Sequence, residues 1–174
     1  DVDSQRPMAV DSMFRIASMT KAVTSTALMQ LVEQGRVGLE DPVSKYLPEL
    51  AKVPVFESFD ARTGEYKLRP AAKPITVRHV LTHTSGLGYP FTSATLRDFK
   101  PRAGESYPDG PLLFDPGTDW LYGTNIDQLG KIVEQLSGQN LEQYFREKIF
   151  APLGMKDTSY NVPPEKLARL VNVH

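Results

Sequence analysis

The sequence contains no cysteine, which removes disulfides, a thiolate nucleophile and cysteine-bound zinc from consideration. It has no apolar run near the roughly 20 residues that a membrane-spanning helix needs. Its first residues, Asp1-Val2-Asp3-Ser4-Gln5-Arg6-Pro7, lack the charged-then-apolar order of a signal peptide, so the compartment stays undetermined. It also lacks an excess of either charge. A net charge of -1 and a pI near 6.4 do not make the basic footprint that nucleic acid requires. Repeats and low-complexity tracts are missing too. What is there is a 174-residue chain, 40% hydrophobic and 24% charged, the composition of ordinary soluble globular proteins. That length can bury about 70% of the unfolded surface in a single core. The chain opens on Asp1 rather than Met and stops at Val173-His174 without a closing element. The expectation is one partial domain over 1-174, a piece of a longer protein.

Met19, Ala22, Val23, Ala27, Leu28, Leu31 and Val32 cover most faces of a helix beginning at Ser18 and ended by Gly35. A helix apolar nearly all round is expected to be buried, and Lys21 within it needs a reason, because an unpaired buried ammonium is costly. A short helical stretch follows around Tyr46. Val53 to Phe59 and Glu65 to Arg69 can pair as a hairpin across Arg62-Thr63-Gly64. Thr76 caps a short helix to His83, closed by Gly86. From Gly88 to Asp119 the chain reads as a long loop with scattered aromatics: Tyr89, Phe91, Phe99, Tyr107 and Phe114. Thr124 with Asp127 resembles a capping box ahead of the stripe Ile126, Leu129, Val133, Leu136, which Gly138 ends. Asn140 and Gln143 cap a last helix carrying Leu141, Tyr144, Phe145 and Ile149, stopped by Pro152 and Gly154. The fold class is mainly α.

Ser18 and Lys21 stand three apart, on one face of a helix with about 5–6 Å between Cβ atoms. A lysine in apolar surroundings is expected to have its pKa lowered and can then take a proton from the serine. A serine opening a helix also offers its own free N–H to a developing oxyanion. The same spacing equally fits a helix-start serine followed by a lysine reaching to solvent. Tyr122 taken by itself fits an aromatic staple ahead of the Ile126 helix. His83 lies two residues before Ser85, but no G-x-S-x-G elbow surrounds that serine. His79 and His83 have zinc-like spacing without the intervening glutamate, so no metal site is expected. The loop aromatics can line an acyl pocket, with Tyr89 the foremost substrate contact, or pack among themselves.

Three ordered segments carry more weight. They are Phe14-Arg15-Ile16-Ala17-Ser18-Met19-Thr20-Lys21 with Leu39-Glu40-Asp41-Pro42-Val43, then Ile75-Thr76-Val77-Arg78-His79-Val80-Leu81-Thr82-His83-Thr84-Ser85-Gly86-Leu87, then Pro116-Gly117-Thr118-Asp119-Trp120-Leu121-Tyr122-Gly123 with Asp127 and Gly130. Together they resemble the serine β-lactamase-like family, which also holds penicillin-binding D-alanyl-D-alanine peptidases and family VIII carboxylesterases. The likeness covers about residues 12 to 160. It is nearest the esterase branch and the statin side-chain acyltransferases, where the third motif also opens Tyr-Gly rather than Tyr-Ser.

The resemblance implies that Ser18 is a nucleophile, with Lys21 and Tyr122 sharing general-base and general-acid work and no cofactor required. It implies a small-molecule ester, thioester or lactam substrate. Where β-lactamases and peptidases have Tyr-X-Asn, this sequence has Thr124, with Asn125 one step too late. That departure favours an esterase or acyltransferase over a β-lactamase or D-Ala-D-Ala carboxypeptidase. A catalytically incomplete fragment with a binding or scaffold role is the other alternative. In the family a helical lobe packs on an antiparallel sheet that also brings a third active-site strand. Neither that strand nor most of the sheet is recognisable here, so a complementary polypeptide completing the fold is expected.

Overall fold

The computed structural model describes residues 5, 7–107 and 109–172; Asp1 and Val173-His174, on which the expectation of a cut chain drew, lie outside the described residues. Helix α1 (Thr20–Glu33) follows a single 3-10 turn at Ala17–Met19. It ends as its glycine foretells. Gly35 turns left-handed at φ 71°, its N–H reaching the Val32 carbonyl while the Arg36 N–H reaches that of Leu31. This pairs carbonyls that the helix end would leave open.

Thr24, Ala27, Leu28 and Leu31 of α1 are buried, and they face α4 (Asn125–Ser137). Another side is open: Met29 is 41% exposed, as is Met19 (70%) in the turn that leads into the helix. The expectation of a helix buried nearly all round is therefore corrected. Among the described residues the helical neighbours of α1 are α4 and the segments 17–19, 141–145 and 146–150, and its exposed positions Ala22, Thr26, Met29 and Glu33 follow one helical face. Where α1 and α4 meet the next helix there is no room to spare, since a Cβ on Gly130 would sit 2.9 Å from Leu141 Cδ1.

The hairpin forms as β1 (Val55–Phe59) and β2 (Tyr66–Arg69), antiparallel, with Val55 opposite Arg69, Phe59 opposite Tyr66, and a bulge between Phe56 and Ser58. Leu112 extends it through one parallel bridge. This two-stranded sheet is the one formed among the described residues. Helix α2 (Val77–Leu81) has the Thr76 cap, completed by His79: the Thr76 oxygen accepts from His79 N, and His79 Nδ1 accepts from Thr76 N. The long loop contains a helix that the periodicity does not announce, α3 (Ala94–Asp98), capped by Ser93. A 3-10 stretch at Pro164–Arg169 is likewise unannounced.

Helix α4 ends at Gly138, φ 72°. Its start differs from expectation. Thr124 holds φ -67° and ψ 10° and makes no side-chain cap bond, because a capping side chain needs the extended backbone that Thr124 does not adopt. Its Oγ1 is buried without a partner among the described residues. Helix α5 (Leu141–Phe145) is capped by Asn140 and runs on into a π turn at Arg146–Phe150. Ala27, Leu28, Leu31, Val77, Val80, Leu87, Leu129, Ile132, Val133 and Phe145 form the core between these helices. The two ends of the described chain meet where Met13 pairs with Leu170 in a parallel bridge. Among the described residues no helix is long and apolar enough to cross a membrane.

Candidate active site

Ser18 sits exposed in the 3-10 turn that feeds α1. The residue before it, Ala17, holds φ 42°, a left-handed conformation uncommon for a residue with a Cβ. The first bond of the turn runs from Met19 N to the Ile16 carbonyl, so the Ser18 N–H lies ahead of the helical ladder. One turn later Lys21 Nζ donates to Ser18 Oγ at 3.3 Å.

Tyr122 reaches this pair from the third motif, on a segment strapped to the second. Leu121 N donates to the His83 carbonyl at 2.9 Å and Gly123 N to His83 Nδ1 at 3.4 Å. The contact is too close for any side chain at 123, where a Cβ would lie 2.2 Å from the Leu87 oxygen. That is a physical reason for Tyr-Gly in place of Tyr-Ser. Beneath the strap Ser85 Oγ donates to Asn125 Oδ1 at 2.5 Å and accepts from Leu87 N, while Asn125 Nδ2 donates to the Leu87 carbonyl. Ser85 and Asn125 are both fully buried. Ser85 is thereby engaged in holding the loop, and the amide of Asn125 faces that loop rather than the Ser18 side.

Lys21 Nζ lies 4.9 Å from the centre of the Tyr122 ring and 5.7 Å from that of Tyr89. Burial pulls the Lys21 ammonium down, but hydrogen bonds with Tyr122 and Tyr89 outweigh it, and the net shift is upward. This corrects the expectation of a lowered lysine: the two phenols supply what an apolar setting would not. The Tyr122 phenol moves the other way, below its ordinary value, through hydrogen bonds with Lys21 and then Ser18. Tyr89 is pushed up, chiefly by burial, and its hydroxyl donates to Asp127 Oδ2 at 3.2 Å. The His83 ring lies 4.9 Å from that of Tyr122 and 6.1 Å from that of Trp120. Burial, and then the charge of Lys21, hold His83 below its usual value. An open cavity of about 380 Å³ adjoins Ser18 and Lys21, walled by Thr24, Asp127, Gly130 and Tyr160.

The structure thus brings Ser18, Lys21, Tyr122 and Tyr89 together. It separates the loop aromatics: Tyr89 and Phe91 stand at the site, whereas Phe99 and Tyr107 join Phe56 and Tyr66 at the hairpin. Asp127 and His83 also border the trio; residue spacing pointed to them only as the capping partner of Thr124 and as half of a zinc-like pair, although both stand inside the quoted motifs. Among the described residues no three His, Asp or Glu side chains gather as a metal site would require.

A family model described as Beta-lactamase matches residues 1–174. Monacolin J acid methylbutanoyltransferase of Aspergillus terreus (strain NIH 2624 / FGSC A1156) is 41% identical over 94% of this chain and 42% of its own length. The chain therefore spans about two-fifths of the curated relatives it matches. Among solved structures, simvastatin synthase (LovD) from Aspergillus terreus, unliganded, superposes with a TM-score of 0.86 at 38% identity, over 99% of this chain and 45% of that one. EstCE1, a hydrolase with promiscuous acyltransferase activity, gives 0.74 at 28% identity, over 98% and 45%.

Proposed function

The chain belongs to the beta-lactamase family, and from that premise we propose that it carries the nucleophilic half of a serine acyl-transfer enzyme acting on small-molecule esters or thioesters. The observation that carries the reading is the convergence of three groups from two distant segments: Lys21 Nζ lies 3.3 Å from Ser18 Oγ and 4.9 Å from the Tyr122 ring. Relatives that are acyltransferases and esterases support the same class.

The opposed shifts keep the Lys21 ammonium charged and make the Tyr122 proton easier to lose. In the proposed cycle Tyr122 takes the Ser18 proton as Oγ adds to the substrate carbonyl. The carbonyl electrons move to oxygen, where the Ser18 N–H can meet them. On collapse the C–O or C–S bond breaks and the leaving alkoxide or thiolate takes the proton from Tyr122. An acceptor alcohol or water then repeats the sequence on the acyl-Ser18 ester. Lys21 keeps its charge throughout and steadies the phenolate.

A β-lactamase or D-Ala-D-Ala carboxypeptidase is the second reading. Thr124 stands against it, with its hydroxyl enclosed, and so does Asn125, whose amide is committed to Ser85 and Leu87. The fold reading belongs with the function: the chain is the helical lobe, and the open side of α1, with Met19 and Met29, is where a sheet from the remaining length of such a protein would pack. Relatives more than twice as long support this.

The test uses the full-length protein, an active-site phosphonate, and p-nitrophenyl butyrate against a cephalosporin. Ser18→Ala is expected to abolish both covalent labelling and ester turnover, and the ester is expected to have the higher kcat/KM. Near-full turnover in Ser18→Ala would sink the assignment. A β-lactam outrunning every ester tried would hand the site to the second reading.

A further inference from the structure

Within the third motif Asp127 has a place but no assigned task, and Tyr89 stands between it and the ammonium. Tyr89 Oη donates to Asp127 Oδ2 at 3.2 Å. Its ring is kept in place by stacking on Phe91, centroids 4.7 Å apart at 23°, and by the tilted ring of Tyr122 at 5.7 Å. On its other side the Tyr89 ring centre lies 5.7 Å from Lys21 Nζ, and the Tyr89 hydroxyl helps raise the lysine. A phenol has one proton. With that proton directed at Asp127, the Tyr89 oxygen can present only lone pairs to Lys21. An ammonium has three N–H donors; this one gives one to Ser18 Oγ at 3.3 Å and lies 4.9 Å and 5.7 Å from the centres of the Tyr122 and Tyr89 rings, whose hydroxyls both favour its charged form. That surrounding suits the charged form of Lys21. Were the Tyr89 proton turned toward Lys21 instead, it would oppose an N–H and favour the neutral amine.

We infer that Asp127 and Tyr89 are a positioning pair that holds Lys21 as an ammonium between Ser18 and Tyr122, with Asp127 acting through the Tyr89 hydroxyl. The inference rests on the proposed acyl-transfer reading and adds two residues to it. It also changes the task given to Tyr89, from touching substrate to orienting the lysine. The charged and titratable groups facing this cluster are few. Lys21 comes from α1, Asp127 from α4, Tyr122, Tyr89 and His83 from the strapped loops, and Tyr160 closes the far side, sensing Asp127 along with Glu134 and Glu142. Asp127 holds the Tyr122 phenol up, against the larger downward pull of Lys21 and Ser18. Loss of the Asp127 charge therefore lowers Tyr122 further. The base form then survives to more acid solution.

The experiment measures the pH dependence of Ser18 acylation in the full-length protein, by single-turnover release of p-nitrophenol from p-nitrophenyl butyrate. The proteins compared are the parent, Tyr89→Phe, Asp127→Asn, Asp127→Ala and the Tyr89→Phe/Asp127→Ala double variant, with thermal melts run alongside. Tyr89→Phe and Asp127→Ala are each expected to slow acylation about tenfold, the worth of a hydrogen bond to a charged group, with KM little changed. The double variant is expected to be no slower than Tyr89→Phe alone, because Asp127 acts only through that hydroxyl. Asp127→Asn keeps an acceptor oxygen, so its plateau rate is expected near the parent's while its acid limb moves to lower pH. Additive losses in the double variant would overturn the pair, as would effects confined to KM with an unmoved pH profile. Should Asp127→Ala fail to fold, the near-isosteric Tyr89→Phe and Asp127→Asn decide alone, by the rate loss and the displaced limb. A Ser18→Ala control separates the two readings. Turnover surviving in that control defeats the function itself. Ser18-dependent turnover that ignores Asp127 and Tyr89 defeats only this inference.

Discussion

Two aromatic clusters grow out of the same long loop, and both place a cation over a tyrosine ring. At the hairpin Arg102 stands 4.1 Å from the centre of Tyr66, and Phe56, Phe99 and Tyr107 pack around it. At the site Lys21 stands 4.9 Å from the centre of Tyr122, between His83 and Tyr89. Yet the phenols shift in opposite directions. Tyr66 is raised, by burial first and then by its hydrogen bond to the Glu105 carboxylate; Tyr122 is lowered, by Lys21 and then Ser18. A cation over the ring is common to both, so it does not decide the direction. Burial and the group at the hydroxyl do: burial and the Glu105 carboxylate both hold the proton on Tyr66, whereas at Tyr122 an ammonium outweighs burial and welcomes a phenolate. On the proposed reading, one cluster packs and the other moves a proton.

The sharpest way to break this contrast is to delete the Tyr122 hydroxyl. Tyr122→Phe in the full-length protein is expected to slow acylation by on the order of 10² to 10⁴-fold while leaving the thermal midpoint near the parent's, since no buried group loses its partner. A variant that unfolds in step with its loss of rate would show Tyr122 to be packing after all. The converse substitution sits at the hairpin. Phe99 is 8% exposed, and Phe99→Ala is expected to cost about 3 kcal/mol in denaturant melts, with turnover per folded molecule unchanged. A parallel fall in turnover would mean that the clusters are coupled. The smallest expected signal is spectroscopic. In an alkaline titration followed at 295 nm, the phenol missing from Tyr122→Phe should be one that ionises below the ordinary tyrosine range. The phenol missing from Tyr66→Phe should be one that ionises above it. The reverse order would contradict the role given to the hydroxyl partner.

Local features were the most legible. The Thr76 cap, the Gly35 and Gly138 helix ends and the turn at Gly64 each rest on a conformation that one residue type favours. Helix α3 was hidden because five residues are too few to show a period. Thr124 misled because its cap signature is shared by any threonine ahead of an apolar stripe, whatever its backbone angles.

By itself the sequence determined the three ordered motifs, the common face of Ser18 and Lys21, and the elements that carry them, because helical spacing and turn chemistry act over a few residues. Tertiary structure decided the rest. It set the sign of the Lys21 shift, because the Tyr122 and Tyr89 oxygens arrive from far along the chain. It turned Asn125 inward to Ser85 and Asp127 outward to Tyr89. It left one side of α1, with Met29, uncovered. Desolvation and hydrogen bonding depend on which distant groups meet, and no local pattern of residues encodes those distances.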